Sequence, residues 1–278
     1  MNEPDRRRPT GPVLRCVSVD TISAPDGAAI AFDDQGTGRP TVLVHGITES
    51  RRAWDPVLPG LVARGRVVRI DMRGHGDSER RPPYDAVTMA GDVRAVVDAL
   101  ALDDPLVVGH SMGGVVVSAY GGLGHPARGI VNVDQPLELG GFKAALEPIR
   151  PMLEGDEAGF REAIGVVFGV LDGALPAPER ARLDALSSPE QDVVLGVWGT
   201  VFDHSVDELD ALVEELLAGI RVPYLSVHGS DPGVAYVEWL LAQVANTRVE
   251  VWPDHGHYPH LVDPARFVQR IDQFDGGL

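Results

Sequence analysis

The chain has 278 residues, 44% of them hydrophobic, which suits one large catalytic domain or a core carrying a modest insertion and leaves no case for general disorder. Its formal net charge of −17 would repel a phosphate backbone and excludes nucleic acid as a partner. Cys16 is the only cysteine, so an internal disulfide framework and a cysteine-based zinc site are both excluded, and no metal is expected.

The N-terminus is polar and Pro/Arg-rich, with no apolar run behind Arg6-Arg7-Arg8. It reads as a loose tail over residues 1–12 and not as a secretory signal. No apolar segment reaches the roughly 20 residues that a membrane span needs, so the expected compartment is the cytoplasm.

Residues 17–32 read as two strands around the turn Pro25-Asp26-Gly27. Residues 41–44 form a short β-branched run that empties into His45-Gly46. A helical spacing over 54–63 precedes a strand at 67–70 that ends on Asp71. Over 84–102, Met89, Val93, Val96, Val97 and Leu100 share one helical face. The strand at 105–108 runs into a glycine cluster and then an apolar helix at 115–120, followed by a strand at 129–133 ending on Asp134. Alternation of strand and helix predicts a parallel sheet covered on both faces.

The rhythm changes from 137 to 220, where helical patterns at 142–153, 159–168, 178–186, 191–202 and 206–217 are punctuated by Gly and Pro. This stretch is expected to be a helical cap inserted into a core domain made of residues 1–136 and 221–278. Strands at 223–227 and 248–252, with helices at 235–244 and 264–274, complete the core.

Gly109-His110-Ser111-Met112-Gly113 carries the chemistry. A serine hydroxyl attacks a carbonyl only when it is held in place and a base takes its proton. A G-x-S-x-G bend between strand and helix solves the placement, because flanking glycines let the chains approach closely around a strained serine. A bare motif is a weak signal in a chain with 32 Gly, but here a β-branched strand stands directly before it and a small-residue helix directly after.

With Val44-His45-Gly46, the run from Asp71 through Arg73-Gly74-His75-Gly76 to Asp77-Ser78, the serine motif through Gly114, and Gly256-His257 in this order, the chain resembles the α/β-hydrolase superfamily. The resemblance spans residue 17 to the C-terminal helix; the cap matches no named family. It implies an α/β fold with a mostly parallel eight-stranded sheet, helices on both faces and an inserted cap. It also implies a cofactor-free serine hydrolase with Ser111 as nucleophile and His257 as base. One oxyanion donor is the amide of Met112, after the nucleophile, and the resemblance gives the amide of Ile47 as the other. His45 is expected to brace its loop, His75 and His110 to be scaffold, His255 to be a solvated loop residue and His260 to start a helix.

The acid departs from the common pattern. It usually follows the strand at 223–227 as Gly-x-x-Asp, but here the run is Gly229-Ser230-Asp231-Pro232, one residue short. Asp134, after the strand that follows the serine motif, resembles the acid of zearalenone-type lactone hydrolases and of some haloalkane dehalogenases. Asp134 is the preferred acid and Asp231 the alternative; either would fix the imidazole tautomer and stabilise the imidazolium.

A serine at the bend leaves esters, lactones, thioesters, amides and C–C bonds of diketones as substrates. Met152, Phe160, Phe168, Trp198 and Phe202 are candidate lining of the cap, with Met152, Trp198 and Phe202 preferred, and point to a hydrophobic small molecule. An ester or lactone hydrolase, monomeric or homodimeric, is the expectation. Cofactorless oxygenase or lyase chemistry, C–C hydrolysis and a low-turnover ligand receptor remain the alternatives on this fold.

Overall fold

The computed structural model describes residues 19–171 and 174–278. Cys16, the expected tail and the first two residues of the expected N-terminal strand lie outside the described residues.

Strands β1 (Asp20–Ser23) and β2 (Ala29–Gln35) form the N-terminal hairpin, and β3 (Pro40–Val44) leads into the His45-Gly46 loop. A 3-10 turn (Arg51–Trp54) and a short helix α1 (Leu58–Val62) stand where the 54–63 pattern predicts one helix. Pro59 explains the late α-helical start, since it has no amide to donate and is tolerated only in a first turn. Then come β4 (Arg66–Ile70), α2 (Ala86–Ala99), β5 (Leu106–His110), α3 (Met112–Gly122) and β6 (Gly129–Val133).

The stretch between β6 and the next strand holds only helices among its described residues: α4 (Gly140–Leu146), α5 (Arg150–Leu153), α6 (Glu157–Leu171), α7 (Ala177–Leu186), α8 (Gln191–Asp203) and α9 (Val206–Leu217). The pattern at 142–153 predicts one helix, but Pro148 and Pro151 break it into α4, a 3-10 turn (Glu147–Ile149) and α5. The core resumes with β7 (Tyr224–His228), α10 (Val234–Gln243), β8 (Thr247–Val251), α11 (Pro259–Val262) and α12 (Pro264–Asp275).

The eight strands form one sheet in the order β1-β2-β4-β3-β5-β6-β7-β8. The pairs β1–β2 and β2–β4 are antiparallel, and every other pair is parallel. Every residue of β3, β5, β6 and β7 is buried, as a parallel sheet covered on both faces requires. Side chains alternate between two cores. Val42, Val44, Val107, Ile130 and Tyr224 join α2 and α3 on one face. Leu43, Leu106, Val108, Val131 and Leu225 join α12 on the other.

The helical segment docks on the core by close contact. A Cβ on Gly196 would sit 2.5 Å from the Tyr84 ring, and one on Gly74 would sit 2.8 Å from Val193. The Ser188 amide donates to the Thr48 carbonyl at 2.9 Å, and Arg182 donates to the Arg52 carbonyl at 2.8 Å. Among the described residues no helix is long and apolar enough to cross a membrane.

Candidate active site

Open parallel sheets place ligands beyond the C-terminal ends of their strands. Here β3, β5 and β6 end directly on His45, Ser111 and Asp134, while His257 follows β8 by a short loop.

Ser111 occupies φ 52°, ψ −122°, between the last residue of β5 and the first of α3. Such a backbone costs on the order of 1–3 kcal/mol and persists only where the surroundings enforce it. The enforcing contacts are steric. A Cβ on Gly109 would lie 2.0 Å from the Gly113 carbonyl oxygen, and one on Gly113 would lie 2.3 Å from that of Val44. No side chain fits at either place, so both glycines are required for the bend. The Ser111 amide donates to the Val133 carbonyl at 3.1 Å, tying the bend to β6.

Met112 is the first residue of α3, where an amide has no carbonyl of its own helix to donate to. Its N–H, with the helix dipole behind it, is free to serve an anion. Ile47 lies in the loop after β3, and its direction follows from its neighbours. His45 Nδ1 lies 2.7 Å from the Gly46 carbonyl, and the Met72 amide donates to His45 Nε2 at 3.0 Å. The carbonyl can only accept and the amide can only donate, so the ring is neutral with its hydrogen on Nδ1. Burial drives its pKa below the ordinary 6.5, against the opposing charge of Asp71. The Glu49 amide also donates to the Gly46 carbonyl, at 3.3 Å. A planar trans peptide whose oxygen is held this way aims its N–H, that of Ile47, in the opposite direction.

Arg51 closes the loop. Its guanidinium pairs with Asp71 and lies 2.9 Å from Asp77, and its amide donates to Asp71 Oδ1 at 2.6 Å. The Asp71–Ser78 run is therefore a brace: a Cβ on Gly76, at φ 54°, would collide with the Asp71 carboxylate at 2.3 Å.

His257 Nδ1 donates to Asp134 Oδ2 at 2.8 Å, and the Gly229 amide donates to Asp134 Oδ1 at 2.7 Å. Burial, the strongest single influence, pushes the Asp134 carboxyl up. The hydrogen bond and charge of His257, with the Gly229 amide, outweigh it and hold the pKa below the ordinary 3.8. Asp134 sits at φ 55°, a left-handed conformation that Asp tolerates better than most residues. Asp231 instead accepts the Gly233 amide at 2.9 Å in a turn. The geometry thus joins His257 to Asp134. The loop end after β7, where the common acid stands, contributes its Gly229 amide instead. The His257 ring lies beside the bend, 4.8 Å from the ring of His110, the residue before Ser111.

Trp198 and Phe202 are buried and belong to one continuous apolar cluster with Ile47, Met112 and Phe160; Met152 and Phe168 pack on it half-buried. The Phe142 ring meets Trp198 edge-on at 5.6 Å, and Arg150 stands 4.7 Å over Phe202. His255 is a loop residue with Nδ1 2.8 Å from the Pro253 carbonyl, and His260 lies in α11, fully buried. Among the described residues no three His, Cys, Asp or Glu side chains are arranged to hold a metal ion.

Two buried polar groups escape a reading of the sequence. Glu49 stands in the polar run Thr48-Glu49-Ser50-Arg51-Arg52, which looks solvated, yet it is only 8% exposed. His228 ends β7 with Nε2 2.8 Å from Ser226 Oγ, and burial keeps its pKa low despite the nearby Asp134 charge. A charged residue within a few positions of His45-Gly46 was the available signal for Glu49.

Several known proteins are similar to this chain. A non-heme haloperoxidase of Rhodococcus erythropolis is 30% identical over 265 residues, covering 85% of this chain and 92% of the relative. The structure of Est816, described as an N-acyl homoserine lactone degrading enzyme, superposes with a TM-score of 0.70 at 27% identity, covering 92% of this chain and all of the other. The esterase RhEst1 of Rhodococcus sp. ECU1013 superposes with a TM-score of 0.67 at 25% identity, covering 92% and 98%. The sequence profile of the alpha/beta hydrolase family matches residues 41–270, which takes in the strained serine, the His45-Gly46 loop and the His257–Asp134 pair together. The chain belongs to the α/β hydrolase family.

Proposed function

We propose that this protein is a serine hydrolase that cleaves an ester or lactone of an apolar small molecule through an acyl-enzyme on Ser111. The observation that carries the reading is the 2.8 Å hydrogen bond from His257 Nδ1 to Asp134, set beside a serine held at φ 52°. With Nδ1 committed to the carboxylate, Nε2 is the free base. It takes the Ser111 hydroxyl proton as Oγ attacks the carbonyl carbon. The oxyanion is received by the amides of Ile47 and Met112, and Asp134 stabilises the imidazolium. His257 then returns the proton to the leaving alcohol oxygen, and the acyl group remains on Ser111. Water, deprotonated by the same Nε2, attacks the acyl carbon and releases the acid. For a lactone, acid and alcohol stay in one product.

The apolar cluster that runs from Ile47 and Met112 into Trp198, Phe202 and Met152 supports an apolar acyl or alcohol group as the recognised part. In this reading the helices between β6 and β7 act as a cap over the site. The lactone-degrading and esterase neighbours are consistent with either class of ester bond.

Hydrolysis of p-nitrophenyl esters by wild type and by Ser111→Ala tests the mechanism. Wild type should show turnover and covalent labelling by an organophosphonate, and Ser111→Ala should show neither. A wild type that is neither labelled nor active on a panel of short-chain esters and lactones overturns the reading.

A further inference from the structure

Glu49 has no part in the mechanism above, yet it lies buried at its centre. Its Oε2 accepts the Gly46 amide at 3.0 Å and stands 3.6 Å from His110 Nδ1. His110, itself 1% exposed, lies with Nε2 2.9 Å from the carbonyl of His257. That carbonyl can only accept, so Nε2 carries a hydrogen. A bare Nδ1 would then aim its lone pair at a carboxylate, while a hydrogen there makes the contact attractive. The packing leaves no slack: a Cβ on Gly46 would lie 3.1 Å from His110 Nδ1 and 3.2 Å from Glu49 Cδ. The rings of His257, Tyr258 and His260 enclose the other sides of His110 at 4.8, 4.9 and 4.5 Å.

Three segments therefore meet at this pair. One is the loop whose Gly46–Ile47 peptide offers the oxyanion donor; one is the bend bearing Ser111; one is the loop bearing His257. We propose that Glu49 and His110 form a buried ion pair that acts as one positioning unit, holding the oxyanion loop and the His257 loop in register across the bend. The proposal rests on the serine-hydrolase reading for its catalytic consequence, though not for the existence of the pair. Burial works against the Glu49 charge, but His110 and the Gly46 amide outweigh it and bring its pKa to about 2. A charge kept in so buried a place needs its partner, because a buried carboxylate left alone is far costlier than a paired one.

Glu49→Gln keeps an oxygen for the Gly46 amide and removes only the charge. It should lower kcat roughly 10- to 100-fold with KM within about twofold, because the donor and the base are displaced and not deleted. His110→Gln should do the same, and the double variant should lose about as much as the worse single one. NMR of histidine labelled with nitrogen-15 reads the pair without turnover. Both His110 ring nitrogens should bear hydrogen in wild type and in Ser111→Ala, and Nδ1 should lose its hydrogen in Glu49→Gln. If His110→Gln does not fold, Glu49→Gln and the NMR spectra decide the matter. Wild-type kcat in Glu49→Gln, a change in KM alone, multiplying losses in the double variant, or a bare Nδ1 in wild type would each overturn the pair in an active enzyme. A wild type with no Ser111-dependent turnover overturns the hydrolase reading and the catalytic role of the pair, and it differs from those outcomes because all variants are then equally inactive.

Discussion

Asp134 is bonded on both oxygens, to His257 Nδ1 and to the Gly229 amide, while Asp231 spends a carboxylate oxygen on its own turn. Asparagine at 134 would present an amide in place of one acceptor and favour the wrong imidazole tautomer. Asp134→Asn should therefore lower kcat by roughly 10²- to 10⁴-fold, and Asp231→Asn by less than about threefold. Steady-state kinetics on one chromogenic ester compares them directly; equal losses, or a larger loss at 231, would remove Asp134 from the role proposed for it. Sequence carried both aspartates to the site but had no means of ranking them by contact. The contact that favours Asp134 is made by a residue at φ 55° directly after β6, whose carboxylate reaches His257 in the loop after β8. Glu49 was illegible for a related reason. A polar residue in a loop looks exposed until the loop is seen folded over the bend.

At the scale of elements, strand and helix patterns transferred almost intact wherever two cores impose strict alternation, as in β3, β5, β6 and β7. They failed at 54–63 and 142–153, where Pro59, Pro148 and Pro151 decide the local structure against the apolar spacing. Glycine also divides into two kinds that a sequence cannot separate. Gly113 has a carbonyl oxygen 2.3 Å from where its Cβ would be, whereas Gly91, within α2, has nothing within 4 Å. Gly113→Ala should cost about 3 kcal/mol or more and deform the serine bend. Gly91→Ala should stabilise by about 0.5–1 kcal/mol, since it only removes backbone freedom from the unfolded chain. Thermal denaturation should place one Tm well below wild type and the other slightly above; a stabilised Gly113→Ala would mean that the bend is looser than described.

Over the whole molecule, histidine sets the response to acid. Burial depresses the pKa of His45, His228 and His260, and it takes His75 to about 3. The unfolded chain binds protons at these residues near the ordinary 6.5 while the fold does not, so stability rises with pH between about 3 and 6.5 and is lost as pH falls through that window. The Glu49 carboxyl adds a second loss between its ordinary 4.5 and about 2. Urea midpoints should thus fall already between pH 7 and pH 5.5, above the range where carboxylates titrate; a flat profile there would mean that the buried rings accept protons without unfolding.

The junction between β6 and α4 has a consequence for exchanging parts between relatives. Asp134 is the last residue before the run that opens the helical segment, so the proposed acid and that segment hang from the same strand end. A graft made from 135 onward would carry a new set of helices to an intact base. A graft that starts one residue earlier would import the donor's residue in place of the carboxylate. Where the donor keeps its acid after β7, such a chimera would have a serine, a histidine and no group to orient them.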